Sequence, residues 1–367
     1  MSESLRIAFF GSSLVSAYWN GAATYYRGIV RALHARGHHV TFYEPDAFER
    51  QSHRDIEDPS WANVVVYGAE LESSVFAALE SARGADVIVK ASGVGVYDEL
   101  LEREVLGLRR AGNMVIFWDV DAPATLERVT RDPNDAFRSL IPRYDLILTY
   151  GGGAPVVEAY RELVARACVP IYNALDPLTH HPVKPEPRFE GLLAFLGNRL
   201  PDREARVRQF FFNPAAGLPG ETFILGGNGW DDRAGAPPNV RLLGHVYSRD
   251  HNAFNCTPRA IININRDSMA RTGFSPPTRV FEAAGAGACL IVDAWNGIEM
   301  FLEPGREVLV AHDGDEVTEH ASRLTAATAA RIGKAALARV LAEHTYAHRA
   351  VEVEKALYGS SATEVAA

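Results

Sequence analysis

The sequence predicts an α/β protein with two Rossmann-like domains, each a parallel sheet covered by helices, facing each other across a cleft. Short apolar runs alternate with helix-length segments along almost the whole chain, the alternation pauses once at a proline-rich stretch, and a second series follows. Continuous apolar strands separated by helices are typical of parallel sheets that are buried on both faces. Ligands of such sheets bind at the carboxyl ends of the strands, so we expect the functional site there.

The first series predicts a domain over residues 1–175. Its predicted strands are 5–10, 40–43, 64–67, 86–90, 114–118, 146–150 and 169–172. Helix-length stretches lie between several of them, and we expect helices at 23–36 and 97–111.

A connector separates the two series. Residues 176–190 contain four prolines, which predict a stiff, helix-free hinge. Its two histidines, His180 and His181, are expected to face solvent. A second domain over residues 191–343 follows, and its predicted strands are 192–196, 222–225, 240–243, 260–265 and 288–292. Amphipathic stretches at 316–341 and 346–357 predict closing helices, and the last segment, 344–367, is expected to pack back on the first domain.

Composition narrows the function classes. The 367 residues carry 37 basic and 46 acidic side chains, a formal charge of −9, which disfavours nucleic acid as a partner but leaves room for a small phosphate ligand held by a few arginines. The three cysteines are widely spaced, so neither a disulfide framework nor a zinc site is expected. No apolar run approaches the ~18 residues of a membrane span, and a cytoplasmic protein without a transmembrane segment is expected.

The most informative segment begins at Gly273, which allows a tight turn. Ser275 follows, placed to cap a helix whose first turn holds Pro276 and Pro277. The start of a helix offers unpaired N–H groups and the positive end of its dipole, so this segment predicts a site for a diphosphate.

Arg279 and Glu282 are three residues apart in this predicted helix and therefore share a face. The arginine could pair with phosphate while the carboxylate accepts hydrogen bonds from ribose hydroxyls. The alternative is a capped helix with a surface ion pair worth about 0.3–0.5 kcal/mol.

Glycine, arginine and small polar residues also follow the other strands of the second series. Arg199 and Arg203 come after the first strand, where two guanidiniums could clamp a pyrophosphate or simply face solvent. The later strand ends carry Gly227, Val246, Tyr247 and Arg266. Each of these loops is ordinary by itself. Because all of them lie at one edge of the sheet, together they predict a ligand site.

The second half resembles the group 1 glycosyltransferases of GT-B fold, and within them the CgeB-type, spore-maturation-like branch. The resemblance rests on Gly273-Phe-Ser-Pro-Pro-Thr-Arg-Val-Phe-Glu-Ala283 and Gly297-Ile-Glu-Met-Phe-Leu-Glu-Pro-Gly-Arg-Glu307, and on the hinge run Pro170-Ile-Tyr-Asn-Ala-Leu-Asp-Pro177. It covers about the last 200 residues.

The resemblance implies a UDP- or GDP-sugar donor, UDP favoured, retention of configuration, and no required metal or other cofactor. It also implies that Glu282 binds the donor ribose and that Arg199 and Arg203 hold the diphosphate. Gly273, Phe274 and Ser275 complete the expected donor site with the strand-end residues named above. One departure stands out, because many members carry a second glutamate eight residues earlier, where this chain has Phe274.

Two segments of the first domain are further candidates. By the same resemblance, Asn20, Gly21 and Ala22 face the donor phosphate and the acceptor. Asp119 and Asp121 directly follow the strand at 114–118, where they could position an acceptor, act as a catalytic base, bind a metal as in GT-A enzymes, or serve only as turn residues.

The predicted activity is transfer of a sugar from a nucleotide diphosphate sugar to an acceptor that the sequence does not identify, as in a hexosyltransferase. Two alternatives stay open, namely a nucleotide-sugar epimerase of the same fold and a non-catalytic protein that keeps the fold. Motifs of serine hydrolases, zincins and P-loop proteins are absent from the sequence.

Overall fold

The computed structural model describes residues 4–18, 20–230 and 235–364, with the backbone alone for the last five of these. The chain divides into two compact units. The first unit comprises Met1–Asn173 together with Tyr346–Ala367, and the second unit comprises Ala174–Thr345.

The first unit is built on a seven-stranded sheet whose neighbouring strands all pair in parallel. Its strands are β1 (Arg6–Phe10), β2 (His39–Asp46), β3 (Asn63–Gly68), β4 (Val87–Ala91), β5 (Met114–Asp119), β6 (Leu146–Thr149) and β7 (Cys168–Pro170). They are ordered β3-β2-β1-β4-β5-β6-β7, the Rossmann order with one strand added. Both faces are buried, and stacked rings such as Phe9 on Phe42, 5.1 Å apart, fill one of them.

Helices link most of these strands, and a loop without helix connects β2 to β3. They are α1 (Ala23–Ala35), α2 (Glu72–Ser81), α3 (Asp98–Glu104), α4 (Ala122–Arg131), α5 (Gly153–Glu162) and the last helix of the chain, α13 (Tyr346–Glu364). The helix expected at 97–111 is shorter than predicted, because α3 gives way to a 3₁₀ turn at Val105–Leu108 that contains the poor helix former Gly107.

The second unit repeats this plan with six parallel strands. They are β8 (Leu193–Leu196), β9 (Phe223–Gly226), β10 (Val240–Gly244), β11 (Ala260–Asn263), β12 (Leu290–Asp293) and β13 (Leu309–Ala311), in the order β10-β9-β8-β11-β12-β13. The predicted α/β fold with parallel sheets is therefore confirmed. The short strand β13 was not predicted, because only three residues pair at this sheet edge.

The helices of the second unit are α6 (Pro201–Val207), α7 (Asn213–Gly217), α8 (His251–Cys256), α9 (Asp267–Thr272), α10 (Thr278–Gly285), α11 (Gly314–Arg323) and α12 (Ala326–Glu343). A π-helical segment, Arg208–Phe212, joins α6 to α7. Among the described helices of both units, none has the length and hydropathy that crossing a bilayer requires.

The amphipathic stretch at 316–341 forms two helices, because Leu324 adopts an extended ψ of 107° and the Thr325 side chain caps α12 by accepting from the Thr328 N–H. One expectation about regular structure was wrong. The connector is not free of helix, because Pro187–Phe189 forms a 3₁₀ turn that begins with a proline, where a missing N–H costs nothing.

The last helix belongs to the first unit. Gly28 of α1 lies so close to α13 that a Cβ there would stand 2.2 Å from the ring of Tyr346. At the other end of the contact, Glu354 accepts from the Arg36 guanidinium, at 2.7 and 2.6 Å, and lies 2.9 Å from Nε2 of the buried His38. The close packing of Gly28 against Tyr346 and the buried carboxylate of Glu354 therefore hold α13 against the first unit.

We expect Glu354→Gln to lower the free energy of unfolding by about 1–3 kcal/mol, because it removes the charged partner of two side chains. The hydrogen bond from Arg36 above all lowers the pKa of Glu354 from its ordinary 4.5. The stabilisation is thus present above pH 4.5 and is lost as the pH falls through the lowered pKa. Chemical denaturation of both proteins at pH 7 and pH 3.5 measures this difference.

The control is Glu343→Gln, which removes an exposed carboxylate 2.9 Å from Arg339 on α12. It should change the stability by no more than about 0.5 kcal/mol. Equal losses in the two variants would contradict the docking role of Glu354.

Candidate functional site

The carboxyl edge of the second sheet has a topological switch point between β8 and β11, the two central strands that pair in parallel there. The connections that leave these strands run to opposite sides, which opens a crevice at their ends. Arg203 lies on the helix that follows β8, and Arg266 directly precedes the helix that follows β11. The fold thus brings two of the predicted arginines to the ligand-binding edge.

Arg203 lies beside two other guanidiniums. Burial lowers its pKa most, and the nearby positive charges of Arg266 and Arg279 lower it further, against the opposing charges of Asp202 and Asp293. Its Nε is buried and has no hydrogen-bond partner among the described residues. Arg266 donates to Asp202 at 2.6 Å and Arg279 lies 3.0 Å from Glu282, so two of the three guanidiniums already have an acidic partner. The buried Nε of Arg203 has none, which gives this arginine cluster, Arg203, Arg266 and Arg279, the character of an anion site centred on Arg203.

Arg199 is not part of that cluster. Its guanidinium donates to both carboxylate oxygens of Glu204, at 2.9 Å each, and its Cζ lies 5.8 Å from the ring centre of Trp230. The structure therefore pairs Arg199 with Glu204 and gives Arg203 two other nearby guanidiniums, Arg266 after β11 and Arg279 on α10, and the clamp of Arg199 and Arg203 stays a prediction.

Gly227 serves the packing of its own loop. It has a φ of +127°, and a Cβ there would lie 2.2 Å from the carbonyl oxygen of Gly197. The indole of Trp230 donates to the same oxygen at 2.9 Å. These contacts hold the loop between β8 and α6 against the end of β9, and they account for the glycine without a ligand.

The helix after Gly273 begins later than predicted. It starts at Thr278 with Pro277 at the N-cap position, and Ser275 makes no capping hydrogen bond. The reason is steric, because a residue that precedes proline avoids the helical region, and this applies to both Ser275 and Pro276. The Ser275 hydroxyl is consequently buried without a hydrogen-bond partner among the described residues.

The segment before that helix is held against the turn after β12. Phe274 has a φ of +48°, rare for an aromatic residue, and its N–H donates to the Asn296 carbonyl at 2.6 Å. Its ring lies on Gly297, where a Cβ would come within 2.3 Å of a ring atom. Phe274 therefore anchors the loop through its ring.

Glu282 is 6% exposed and lies deep in the site. Its Oε2 is 3.0 Å from Nη1 of Arg279, although neither atom makes a well-aligned hydrogen bond within the described residues. Burial raises the pKa of the carboxyl, but the charge of Arg279, with smaller contributions from His180 and His251, leaves it below its usual value. A buried carboxylate that stays ionised and under-bonded is suited to accept hydrogen bonds from a ligand.

His180 corrects the expectation that the connector histidines face solvent. His181 is exposed, but His180 is only 8% exposed, and its Nε2 lies 4.0 Å from Glu282 Oε1. His251 of α8 joins the same group, and burial lowers its pKa to about 4. Sequence reasoning missed both residues, since lone histidines in a connector and at a helix start carry no local pattern.

A third residue that sequence reasoning missed, Asp293, braces the sheet edge. Asp293, at the end of β12, is fully buried and accepts from the backbone N–H of Asn265 at 3.0 Å and from Arg206 at 2.6 Å. The carboxylate thus ties the ends of β11 and β12 together beside the arginine cluster.

The segment after β10 presents a buried and an exposed side chain in succession. Val246 is 7% exposed, and its carbonyl lies 3.3 Å from Nε2 of His251. Tyr247 is 57% exposed, with the Arg249 guanidinium 5.0 Å from its ring centre. This arrangement leaves an aromatic face available near the histidine pair, as a base-reading segment would require.

In the first unit, Asn20 bonds within its own loop. Its side chain lies 2.9 Å from the Ser12 hydroxyl and donates to the carbonyls of Ser13 and Ser16 at 2.8 and 3.0 Å. Gly21 is exposed, and Ala22 precedes α1 directly. The three predicted residues therefore sit at a strand carboxyl end, in a loop shaped by Asn20.

Asp119 is fully buried at the end of β5, and burial raises its pKa. Its carboxylate accepts from Ser92 at 2.8 Å, Thr125 at 3.0 Å and Tyr160 at 2.5 Å, and from the Asp121 N–H at 3.1 Å. These contacts favour the turn-forming alternative for Asp119. Asp121 itself is half-buried at the start of α4.

Two cavities within the units lie at the other ends of the strands. One of about 910 Å³ in the first unit is lined by Asn113, Asp145 and Ala167, each of which precedes a strand. One of about 780 Å³ in the second unit is lined by Leu192, Thr222 and Cys289, again before strands. Amino ends of parallel strands are not where such sheets bind ligands, so neither cavity competes with the arginine cluster.

The comparison with protein families matches residues 203–355 to the model described as Glycosyl transferase-like. The match covers most of the second unit and the start of α13, and fewer than half of the 367 residues. A search of curated proteins by sequence found no significant match.

Solved structures match over nearly the full length. Anabaena HepE, solved with UDP and glucose, shares 14% identity with a TM-score of 0.67, over 97% of this chain and 100% of that one. Sucrose-phosphate synthase from Thermosynechococcus elongatus shares 14% with a TM-score of 0.70, over 98% and 100%. An alpha-glucosyltransferase in complex with UDP-glucose and DNA shares 14% with a TM-score of 0.66, over 92% and 95%. The two parallel sheets and their helices thus have the architecture of GT-B glycosyltransferase structures.

We expect Gly297→Ala to destabilise the protein by about 2–5 kcal/mol. The substitution places a Cβ in the left-handed region, at a φ of +96°, and also against the Phe274 ring. The matched control is Gly305→Ala, which has a φ of +79° and no atom within 4 Å of the new Cβ, so it reports the cost of the backbone alone, about 1–2 kcal/mol. Thermal unfolding compares the two, and equal shifts would show that the ring contact contributes nothing.

Proposed function

We propose that this chain is a glycosyltransferase that moves a sugar from a nucleotide diphosphate sugar, with UDP as the favoured nucleotide, to an acceptor. The second unit holds the nucleotide. The first unit, with the loop at Asn20, Gly21 and Ala22, serves the acceptor side.

The observation that carries the proposal is the arginine cluster at the switch point of the second sheet. Arg203 lies on the helix after β8, and the charges of Arg266, after β11, and of Arg279, on α10, act on its buried guanidinium. Each charge-assisted hydrogen bond to a phosphate would contribute roughly 1.5–3 kcal/mol. Arg279 also connects the cluster to the Glu282 carboxylate, as a ligand with a diphosphate beside a sugar would need.

The chemistry follows from this placement. Negative charge grows on the leaving diphosphate as the bond to the sugar breaks, and preorganised positive groups stabilise it more in the transition state than in water. Arg203, Arg266 and Arg279 would supply that charge, with the start of α10 beside them. Glu282 would hold the ribose, and Tyr247 would cover the base.

The comparisons support the nucleotide assignment. HepE was solved with UDP and with UDP-glucose, and the alpha-glucosyltransferase was solved with UDP-glucose. Because these proteins share this fold at about 14% identity, they support a UDP-sugar here through the shared architecture. The family model matched by residues 203–355 points the same way.

Four finer statements belong to the proposal. The motif at 273–283 supports membership of the CgeB-type branch, and the resemblance supports retention of configuration, a cytoplasmic location and no required metal.

With Phe274 in place of the second glutamate, the donor sugar is held by fewer carboxylates than in many relatives of that fold. The catalytic assignment of Asp121 is retained, whereas that of Asp119 has the weaker support described above.

We expect Arg203→Ala to weaken UDP binding by about 2 kcal/mol, roughly thirtyfold, because one charged contact to the diphosphate is lost. Calorimetric titration with UDP measures the change, and thermal unfolding verifies that the variant is folded. The control is Arg323→Ala, which removes an exposed arginine of α11 that pairs with Glu319. UDP affinity unchanged in a folded Arg203→Ala protein would refute the role of Arg203.

Turnover separates the proposal from its two alternatives. Incubation with UDP-sugars and a panel of acceptors should release UDP only when an acceptor is present, and the rate should be the same with and without EDTA. An epimerase would convert the UDP-sugar without acceptor and release no UDP. Nucleotide binding without any turnover would favour the non-catalytic alternative, and inactivation by EDTA would overturn the metal-independent mechanism.

A further inference from the structure

The cavity of about 910 Å³ at the amino edge of the first sheet has a basic lining. Its charged lining residues are Arg109, Arg110, Asp145, Arg166 and Lys355, and we call them together the basic cavity. Four positive charges against one negative charge leave a formal excess of three positive charges, in a chain whose formal charge is −9. A concave, positively charged surface raises the local concentration of anions.

The topology of the sheet brings these residues together. Arg109 and Arg110 precede β5, Asp145 directly precedes β6, and Arg166 precedes β7. These three strands are neighbours and run parallel, so the segments that lead into them lie side by side at one edge. Lys355 completes the lining from α13. The positive charge therefore comes from three separate parts of the chain.

Asp145 is shared between two guanidiniums. Its Oδ1 lies 2.9 Å from Nη2 of Arg109 and 3.0 Å from Nη1 of Arg166, and its other oxygen accepts from the Val115 N–H at 2.8 Å. Arg109 is held further by the Arg143 carbonyl, to which the same Nη2 donates at 2.5 Å. A single carboxylate carries one negative charge, so it fixes both arginines without neutralising both.

Arg110 is oriented by carbonyl groups. Its Nη2 donates to the carbonyls of Gly84 and Ala85 at 3.2 and 2.9 Å. These oxygens hold the guanidinium in place but carry no full charge. The Asp86 carboxylate lies 3.8 Å away, and it already accepts from the Arg6 guanidinium at 2.8 and 3.1 Å. Arg110 is thus preorganised with most of its charge available to a ligand.

Lys355 differs from the exposed cations elsewhere in the described chain. Arg83 and Arg131 each pair with a glutamate three or four residues away, Glu80 and Glu127. Lys355 is exposed on α13 and forms no ion pair with a described residue. The usual local neutralisation of surface charge is therefore missing at this cavity.

Size and charge together indicate the class of ligand. Small-molecule sites are typically roughly 300–1,000 Å³, and this cavity is near the upper end of that range. Guanidiniums bind phosphate oxygens through paired N–H groups, and a phosphate monoester carries about −1.5 to −2 charges at pH 7, more than a single carboxylate does. Met114, Val169 and Ala356 add apolar lining for the rest of such a molecule.

We propose that the basic cavity binds a phosphate-bearing ligand that is separate from the nucleotide sugar. Substrates of parallel sheets bind at the opposite, carboxyl edge, so an anion at the amino edge is a second ligand of the protein. The inference does not depend on the proposed function. A free phosphorylated molecule and a phospholipid headgroup offer the same chemistry, and the experiment distinguishes these two sources.

The test is calorimetric titration with pyrophosphate of the full chain carrying Arg203→Ala, which weakens competition from the arginine cluster. We expect this protein to bind pyrophosphate. Adding Lys355→Glu should weaken the binding by at least about tenfold, because one charge-assisted contact is lost and a negative charge replaces it. The matched control is Lys334→Glu, the same change at an exposed lysine of α12 that does not line the cavity, and it should leave the affinity unchanged.

Cosedimentation with phosphatidylglycerol vesicles, compared with phosphatidylcholine vesicles, tests the lipid source. Binding to the anionic vesicles that Lys355→Glu abolishes and Lys334→Glu preserves would assign the cavity to a headgroup. Pyrophosphate binding that is sensitive to Lys355→Glu, with no vesicle binding, would assign it to a free ligand. The inference is overturned if neither probe binds, or if Lys355→Glu and Lys334→Glu affect the binding equally. Thermal unfolding verifies that every variant is folded.

Discussion

The ion pair between Arg279 and Glu282 is the constraint on which the rest of the second unit's site depends. Both side chains lie on one face of α10, three residues apart, and the guanidinium keeps a buried carboxylate ionised. An isolated buried carboxylate would protonate instead, and it would then donate where an acceptor is needed. The pair therefore gives the site two adjoining halves. One half is cationic and faces Arg203 and Arg266, and the other half, at the Glu282 carboxylate, accepts hydrogen bonds and faces the histidines.

Backbone constraints place this pair. Two consecutive prolines prevent the chain from becoming helical before Thr278, so α10 starts late and the preceding segment stays extended. That segment is held by Phe274, whose ring lies on Gly297 and whose N–H bonds to the Asn296 carbonyl. The Phe274 side chain thus has a packing role.

The sequence predicted much of this arrangement and failed at identifiable places. Strand positions, the shared face of Arg279 and Glu282, and arginines at strand ends follow from local periodicity and from the rule that ligands bind at carboxyl ends. The cap assigned to Ser275 failed because the restriction before proline outweighs capping preference. His180 was placed in solvent because a proline-rich connector gives no sign of which residue the fold will bury.

The sequence by itself determined the α/β class, the two series of strands and the identity of the charged residues near each strand end, because these depend on neighbours along the chain. Only the tertiary structure decided which charged side chains contact one another. Arg199 pairs with Glu204 while Arg266 joins Arg203, and His180 and His251 join Glu282 from separate segments. The physical reason is that burial and hydrogen-bond partners depend on contacts between residues far apart in sequence, and these settle protonation and charge.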